Sequence, residues 1–178
     1  DVIISPSFND KALKLLKKRE SRKIFSNINL TNSSSRSSKW SYRHVRGGLI
    51  KQPYAHYILN KKNINLNFKS LSNKKFSDFL IAWAAAFTSF HGGNEVAIAK
   101  NGTLLACAGG PSTVQAVLTT IERIKKIGHN SKNSIFAADA FFPFTDAPEL
   151  LVKIGCEGGV IPLGSKKDKV IKKFFFKN

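Results

Sequence analysis

The chain has little of several residue types that commonly form cross-links or carry chemistry. It contains no methionine and only two cysteines in 178 residues. Cys107 and Cys156 stand apart beside small or apolar residues, so we expect buried, reduced thiols rather than a disulfide or a metal pair. The longest apolar run, residues 79–87, is about half of the ~20 residues that a membrane-spanning helix needs. Because the sequence starts at Asp1 and lacks methionine, a targeting sequence or a further N-terminal region stays open.

Sequence motifs for common catalytic and cofactor sites are also missing. The chain has no phosphate-binding loop, no Gly-x-Gly-x-x-Gly fingerprint, no Gly-x-Ser-x-Gly elbow and no paired carboxylates. The strings His-x-Glu and Pro-Cys-x-x-Cys, which zinc-dependent base deaminases require, do not occur. These absences predict no bound metal and no cofactor. The histidines are scattered, and we expect them at surface or core positions rather than as general bases: His44, His56, His91 and His129.

Acidic residues are absent from residues 21–77, although twelve lysines and arginines fall there. This segment therefore carries +12 of the formal net charge of +18. Such a surface attracts polyanions, and ribosomal RNA is the natural partner. An AT-rich genome would favour lysine over arginine, but it would not remove every Asp and Glu. We predict RNA contacts for cations in this segment and near the C-terminus: Arg36, Lys39, Arg43, Arg46, Lys51, Lys61, Lys62, Lys69, Lys74, Lys75, Lys166, Lys167, Lys172 and Lys173.

The spacing of apolar residues predicts two amphipathic helices, each burying one stripe of side chains. Gly92-Gly93 follows the first helix and Gly128 follows the second, and glycine commonly ends helices. The residues predicted to face the core are Phe76, Phe79, Leu80, Trp83, Phe87 and Phe90 in the first helix, and Val114, Val117, Leu118, Ile121 and Ile124 in the second.

Short apolar segments around these helices predict strands. Asn101-Gly102 separates two of them and is a strong signal for a two-residue hairpin turn. Further helices are predicted after Asn9-Asp10 and at residues 148–154. The alternation predicts an α/β fold in which helices cover both faces of a mixed sheet, a three-layer sandwich. The predicted strands are residues 2–5, 39–45, 95–99, 104–108, 135–138 and 159–162.

Three strings in the chain point to one enzyme family. They are Arg-His-Val-Arg-Gly-Gly-Leu at 43–49, Asn94 ahead of Ala-Lys-Asn-Gly at 99–102, and Asp-Ala-Phe-Phe-Pro-Phe-Thr-Asp at 139–146. Together they resemble the C-terminal half of the purine-biosynthesis transformylase that formylates AICAR with 10-formyltetrahydrofolate, part of the bifunctional transformylase/IMP cyclohydrolase. The resemblance implies a cytidine-deaminase-like fold, present there in two copies, of which this chain covers the second. It implies one domain at 1–178, with a basic lead-in at 1–75 and a core at 76–178.

The resemblance also implies a ligand pocket. Asn94 matches an amide at the start of a strand, Phe141 would flank the substrate, and Asp146 would hydrogen-bond the folate ring. Pro111 and Val114 stand where the family has Gln and Arg, and valine cannot replace a bidentate arginine contact. The family's catalytic Lys-His pair lies in the copy that this chain lacks. We therefore predict no catalytic residue and a vestigial pocket at Asn94, Phe141 and Asp146, with the three phenylalanines of residues 141–144 forming a core plug.

These features lead to a main hypothesis and two alternatives. The main one is a non-catalytic relative of the transformylase that contacts RNA and neighbouring proteins in a ribonucleoprotein, a mitochondrial ribosome in particular. The first alternative is one subunit of a split, cytoplasmic AICAR transformylase, with another chain supplying the Lys-His half. The second is a free-standing folate or nucleotide sensor. Family analogy also allows a homodimer, and no membrane association is predicted.

Overall fold

The computed structural model describes residues 1–31, 40–53, 59–61, 72–89 and 93–177. The chain divides into two units, residues 1–57 and 58–178. The first contains β1 (Val2–Ser5), α1 (Asp10–Leu16), β2 (Lys23–Ser26), a short 3-10 helix (Ile28–Thr31), β3 (Trp40–Val45) and β4 (Gly48–Pro53). The second contains α2 (Asn73–Thr88), β5 (Val96–Lys100), β6 (Thr103–Ala108), α3 (Thr113–Ile127), β7 (Ser134–Ala138), α4 (Asp146–Lys153), β8 (Cys156–Val160) and α5 (Asp168–Lys177).

The second unit is built on a four-stranded sheet in the order β6-β5-β7-β8. Strand β5 runs antiparallel to β6 and β7, whereas β7 and β8 are parallel. This arrangement confirms the predicted α/β fold with a mixed sheet. The cytidine-deaminase-like assignment stays a prediction, as does the single domain with its lead-in at 1–75 and core at 76–178.

Alternate residues of β5 face two different helix layers. Val96 and Ile98 are buried in one cluster with side chains from α3, α4 and α5. Ala97 and Ala99 belong to a second cluster with side chains from α2. Successive strand residues point to opposite faces of a sheet, so the sheet lies between two helical layers. The predicted three-layer arrangement follows from this alternation.

The buried stripe of α2 differs from the prediction. Its buried apolar residues are Phe79, Ala82 and Ala86, whereas Trp83 and Phe87 stack on each other with ring centroids 4.9 Å apart and Phe87 is exposed. The facing sheet surface carries alanines, so small side chains on both sides let the helix approach closely and the large rings move to the margin. In α3, Leu118 is likewise exposed rather than inward. Phe90 lies outside the described residues.

The hairpin predicted at Asn101-Gly102 is confirmed. Both residues have positive φ, 52° and 76°, as a two-residue hairpin turn requires. The carboxylate of Asp78, buried on α2, accepts hydrogen bonds from the amides of Asn101 (3.0 Å) and Gly102 (2.7 Å). The first acidic residue after the acid-free segment therefore ties α2 to the β5-β6 turn.

In the first unit, β1 and β2 form a parallel pair, and β3 and β4 form an antiparallel hairpin. Strands β2 and β4 were not predicted, since β2 has only two apolar residues and β4 contains Gly, Lys, Gln and Pro. Every residue of the hairpin except Ser41 is exposed. Among the described helices, none has the length and apolar character needed to cross a bilayer.

Candidate functional site

One end of the sheet collects the loops that carry the resemblance. Val96, the first residue of β5, pairs with the last residues of its two neighbours, Ala108 of β6 and Ala138 of β7. Residues 93–95, 109–112 and 139–146 therefore lie at the same end of the sheet. Because β8 is parallel to β7, strand β8 also ends there, and the loop after β8 starts at this end of the sheet. In α/β sheets, this edge, outside the carboxyl ends of strands, is where ligands commonly bind.

Asn94 fastens the glycine turn at this end. Its backbone is left-handed, with φ of 50°, and its amide Nδ2 donates to the carbonyl of Gly110 at 3.1 Å. The amide of Gly110 in turn donates to the carbonyl of Gly93 at 2.9 Å. The Asn94 side chain thus holds two loops together.

Glu95 is a site residue that the sequence analysis missed. Its side chain is 1% exposed and lies directly against Gly109, where an added Cβ would meet its Oε1 at 2.6 Å. Glycine is needed at position 109 for this close approach. The predicted hairpin could have revealed the contact between Glu95 and Gly109. The antiparallel register places the residue before β5 beside the residues after β6 and β7.

Asp139 follows β7 and faces Glu95. The amide of Asp139 donates to the carbonyl of Glu95 at 3.1 Å. Asp139 is exposed, but partial loss of solvent contact raises the pKa of its carboxyl above the ordinary value. The negative charge of Glu95 raises this pKa further, whereas backbone N–H donors oppose the shift. The end of the sheet therefore carries two neighbouring carboxyl groups, one of which holds its proton more tightly than usual.

We expect Asp139→Asn to stabilise the protein relative to the parent as pH rises. A carboxyl whose pKa is raised on folding contributes stability below its unfolded pKa, near 3.8, and that contribution is lost as pH rises through the folded value. Asparagine has no proton to lose there, so the melting temperature of the variant minus that of the parent should grow with pH over this range. A difference that shrinks as pH rises would contradict the shift.

Only one of the three phenylalanines in the loop 139–146 is buried. Phe142 is 1% exposed and packs on Phe136, with ring centroids 6.1 Å apart. Phe141 and Phe144 are exposed, so the predicted three-ring plug is a single anchoring ring. Phe141 is left free at the surface, beside Gly164 of the loop after β8.

Asp146 begins α4 at the end of the same loop. Its Oδ1 accepts a hydrogen bond from the amide of Ala147 at 2.8 Å, and the residue is exposed. The first residues of α3 and α5 follow the ends of β6 and β8 in the same way. Three helix N-termini, each with a partial positive charge, therefore adjoin this end of the sheet and favour anionic groups there.

The two departures from the family pattern have different environments. Val114, at the family's Arg position, is half-buried and packs on the core of the second unit. Pro111, at the family's Gln position, is exposed. An apolar side chain packed inward cannot bind an anion, so any charged contact from this position is lost.

Both cysteines are free and partly buried, and neither is suited to nucleophilic chemistry. Burial raises the pKa of Cys156 to about 11 and also raises the pKa of Cys107. Each thiol lies close to a serine hydroxyl, at 3.3 Å for Ser134 and 3.2 Å for Ser89. The thiolate is the nucleophile, so these cysteines are inert at neutral pH. Within the described residues there is also no cluster of three potential metal ligands.

Among the described cations that were predicted to contact RNA, several contact other residues of this chain. Lys51 lies 4.3 Å from the centre of the Trp40 ring, and Lys61 donates to Asn73 at 2.6 Å. Lys75 pairs with Glu157 at 2.8 Å. Lys172 is half-buried, and six more of these cations are exposed: Arg43, Arg46, Lys74, Lys166, Lys167 and Lys173. Arg36, Lys39, Lys62 and Lys69 lie outside the described residues, as do His56 and His91.

Comparisons with known proteins agree on one family. A family model described as "AICARFT/IMPCHase bienzyme" matches residues 1–123. A protein of Thermoanaerobacter sp. named "Bifunctional purine biosynthesis protein PurH" is 29% identical over 169 residues, which are 94% of this chain and 32% of that protein. Proteins with the same name from Persephonella marina and Aquifex aeolicus are 26% and 25% identical over 172 residues, 96% of this chain and 32% of each. The chain spans about a third of the length of the curated relatives it matches.

The prediction of a ribosomal, RNA-contacting protein is wrong. Relatives that match nearly the whole chain are named as purine-biosynthesis proteins. The acid-free segment 21–77 lies inside the matched range 1–123, so it belongs to the family's sequence and is not a separate RNA-binding addition. Net charge indicates affinity for polyanions in general, and it does not identify a function.

Proposed function

Because this chain belongs to the AICARFT/IMPCHase bienzyme family, we propose that it supplies one part of an AICAR transformylase and that a second polypeptide supplies the rest. The assembled enzyme transfers a formyl group from 10-formyltetrahydrofolate to AICAR. This is the alternative that the sequence analysis had placed second. The chain acts in the cytoplasm under this proposal, and the mitochondrial location, which depended on the ribosomal hypothesis, loses its support.

The observation that carries the proposal is the conformation of residues 139–146. Phe142 anchors this loop in the core, and the anchor leaves Phe141 and Asp146 exposed at the end of the sheet. An exposed aromatic ring offers a stacking surface for a planar heterocycle, and a carboxylate accepts hydrogen bonds from ring N–H groups. AICAR and folate both contain planar heterocycles that carry N–H donors on the ring or on its substituents. The string that identified the family therefore has side chains available for the family's ligands.

The proposal assigns the proton-transfer groups of the enzyme to a part outside this sequence. The chain has no Lys-His pair, and neither His44 nor His129 has a lysine as its neighbour. Val114 packs inward at the position where the family has an anion-binding Arg. Binding groups without a general acid or base can hold substrates but cannot assist the proton transfers of formyl transfer. The chain thus contributes positioning, and the missing part contributes the proton-transfer groups.

We expect the purified chain alone to show no formylation of AICAR above background. The test is to compare it with a co-expressed pair, made of this chain and the Thermoanaerobacter relative lacking the third that this chain matches. The pair should form product from AICAR and 10-formyltetrahydrofolate, and the relative's truncated part alone should not. Turnover by this chain alone would contradict the division of labour.

A further inference from the structure

The β1-β2 sheet of the first unit has one bare apolar face. Register places Val2 opposite Lys23 and Ile4 opposite Phe25, so these four side chains share a face. Val2 is 65% exposed, Ile4 60% and Phe25 55%. On the opposite face Ile3 and Ile24 are half-buried, as are Leu13 and Leu16 of the connecting helix α1. One face of this sheet is thus covered and the other is not.

Both edges of the same sheet present backbone groups in the outward direction. The amides of Lys23 and Asn27 donate to the carbonyls of Asp1 and Ser5 at 2.9 Å and 3.0 Å. In a pair of parallel strands, every second residue of each strand bonds to the partner strand, and the residues between them direct their N–H and C=O groups away from it. Val2 and Ile4 therefore present these groups on one edge, and Ile24 and Ser26 present them on the other. Among the described residues the sheet has only its two strands.

A sheet of this kind does not ordinarily stand alone. Parallel sheets occur with both faces covered, and a two-stranded sheet is at best marginally stable in water. A parallel pair with one bare apolar face and outward backbone groups has the features of a fragment of a larger sheet. Within the described residues, no further strand pairs with this sheet, and Val2, Ile4 and Phe25 stay exposed.

We propose that the second polypeptide of the transformylase completes the β1-β2 sheet, adding a strand by backbone pairing and covering the face of Val2, Ile4 and Phe25. The inference rests on the proposed function for the identity of this polypeptide. The chain covers only about a third of its relatives, so the larger part of the family's sequence lies outside it. A second copy of this chain is disfavoured, because each copy carries a formal charge of +18.

The experiment measures association between the tagged full chain and the co-expressed Thermoanaerobacter relative lacking the matched third. Ile4→Lys places an ammonium in the proposed contact and should weaken association by about 100-fold or more, since a buried unpaired charge is strongly unfavourable. Ile127→Lys is the matched control, because Ile127 is 62% exposed at the end of α3 and lies outside the sheet. It should associate like the parent. Equal association of the Ile4→Lys chain and the parent would overturn the proposal.

A second measurement uses this chain alone, so it does not depend on whether the truncated Thermoanaerobacter relative folds. Hydrogen exchange should find the amides of β1 and β2 poorly protected in the free chain, compared with those of β5 and β7. Protection of β1 and β2 equal to that of the central sheet would show that the two-stranded sheet is stable by itself, and it would overturn the proposal. Protection that appears only at higher concentration would show that a second copy of this chain covers the sheet, which would also overturn the proposal. The two ideas fail separately: a complex that forms through this face but yields no product overturns the proposed function and leaves the interface standing.

Discussion

Replacing Phe142 with alanine should destabilise the second unit by about 3 to 5 kcal/mol, the usual range for a buried phenylalanine. The ring is 1% exposed and packs on Phe136, which also contacts Phe175 of α5 with ring centroids 5.6 Å apart. Its removal leaves a cavity beneath the loop 139–146, which the fixed backbone of the sheet cannot fill. Denaturant unfolding followed by circular dichroism measures the loss.

Phe144→Ala is the matched control for this substitution. It removes the same side chain from the same loop at an exposed position, so its free energy of unfolding should change by about 0.5 kcal/mol or less. Similar losses in the two variants would show that Phe142 is not the anchor. The loop would then lack the fixed point that places Phe141 and Asp146 at the end of the sheet.

Gly159→Ala should also destabilise the second unit, by about 2 to 3 kcal/mol, through overpacking. Gly159 of β8 pairs with Phe136 of β7, and an added Cβ would lie 2.2 Å from the Phe136 ring. That ring is held by Phe142 and Phe175, so it cannot move aside without disturbing the core. The strand would have to shift instead. Thermal and denaturant unfolding of the variant measure the effect.

Gly48→Ala tests whether steric overlap is the cause. Gly48 also lies in a strand, but an added Cβ there would meet only Val45 Cγ2, at an ordinary 4.0 Å. Its φ is not in the left-handed region, so alanine introduces no backbone strain. We expect little change or a slight stabilisation from the reduced freedom of the unfolded chain. Equal losses at both glycines would point to backbone effects rather than to the Phe136 ring.

The architecture of the second unit could be predicted where local signals agree with tertiary packing. Asn101-Gly102 determines a hairpin through its own backbone preferences, and the structure has that hairpin. The stripe of α2 was mispredicted at Trp83 and Phe87 because periodicity shows which side of a helix is apolar, and it does not show how closely the helix approaches the sheet. The alanines of the opposing strand decide that distance.

The sequence identified the residues of the candidate site, but it did not predict their exposure or their contacts. Phe141 and Asp146 were identified by resemblance, yet the exposure of Phe141 depends on the direction of each side chain in the loop, which only the structure gives. Glu95 was missed because its role arises from contact with Gly109, a residue distant in sequence. The functional error had a different origin, since the charge of residues 21–77 was taken as evidence of a partner. Several of those cations contact groups of this chain instead.

The central claim is that Phe141 and Asp146 hold the ligands of formyl transfer. Its most direct test is kcat/KM for 10-formyltetrahydrofolate in the assembled two-chain enzyme, comparing the parent with Asp146→Ala and with Glu122→Gln, an exposed control on α3. Loss of a hydrogen bond to a charged group should lower kcat/KM by about 10- to 100-fold in the Asp146 variant. Phe141→Ala should reduce it as well, while the control matches the parent. Unchanged kcat/KM in both site variants, with both folded and assembled, would contradict the account.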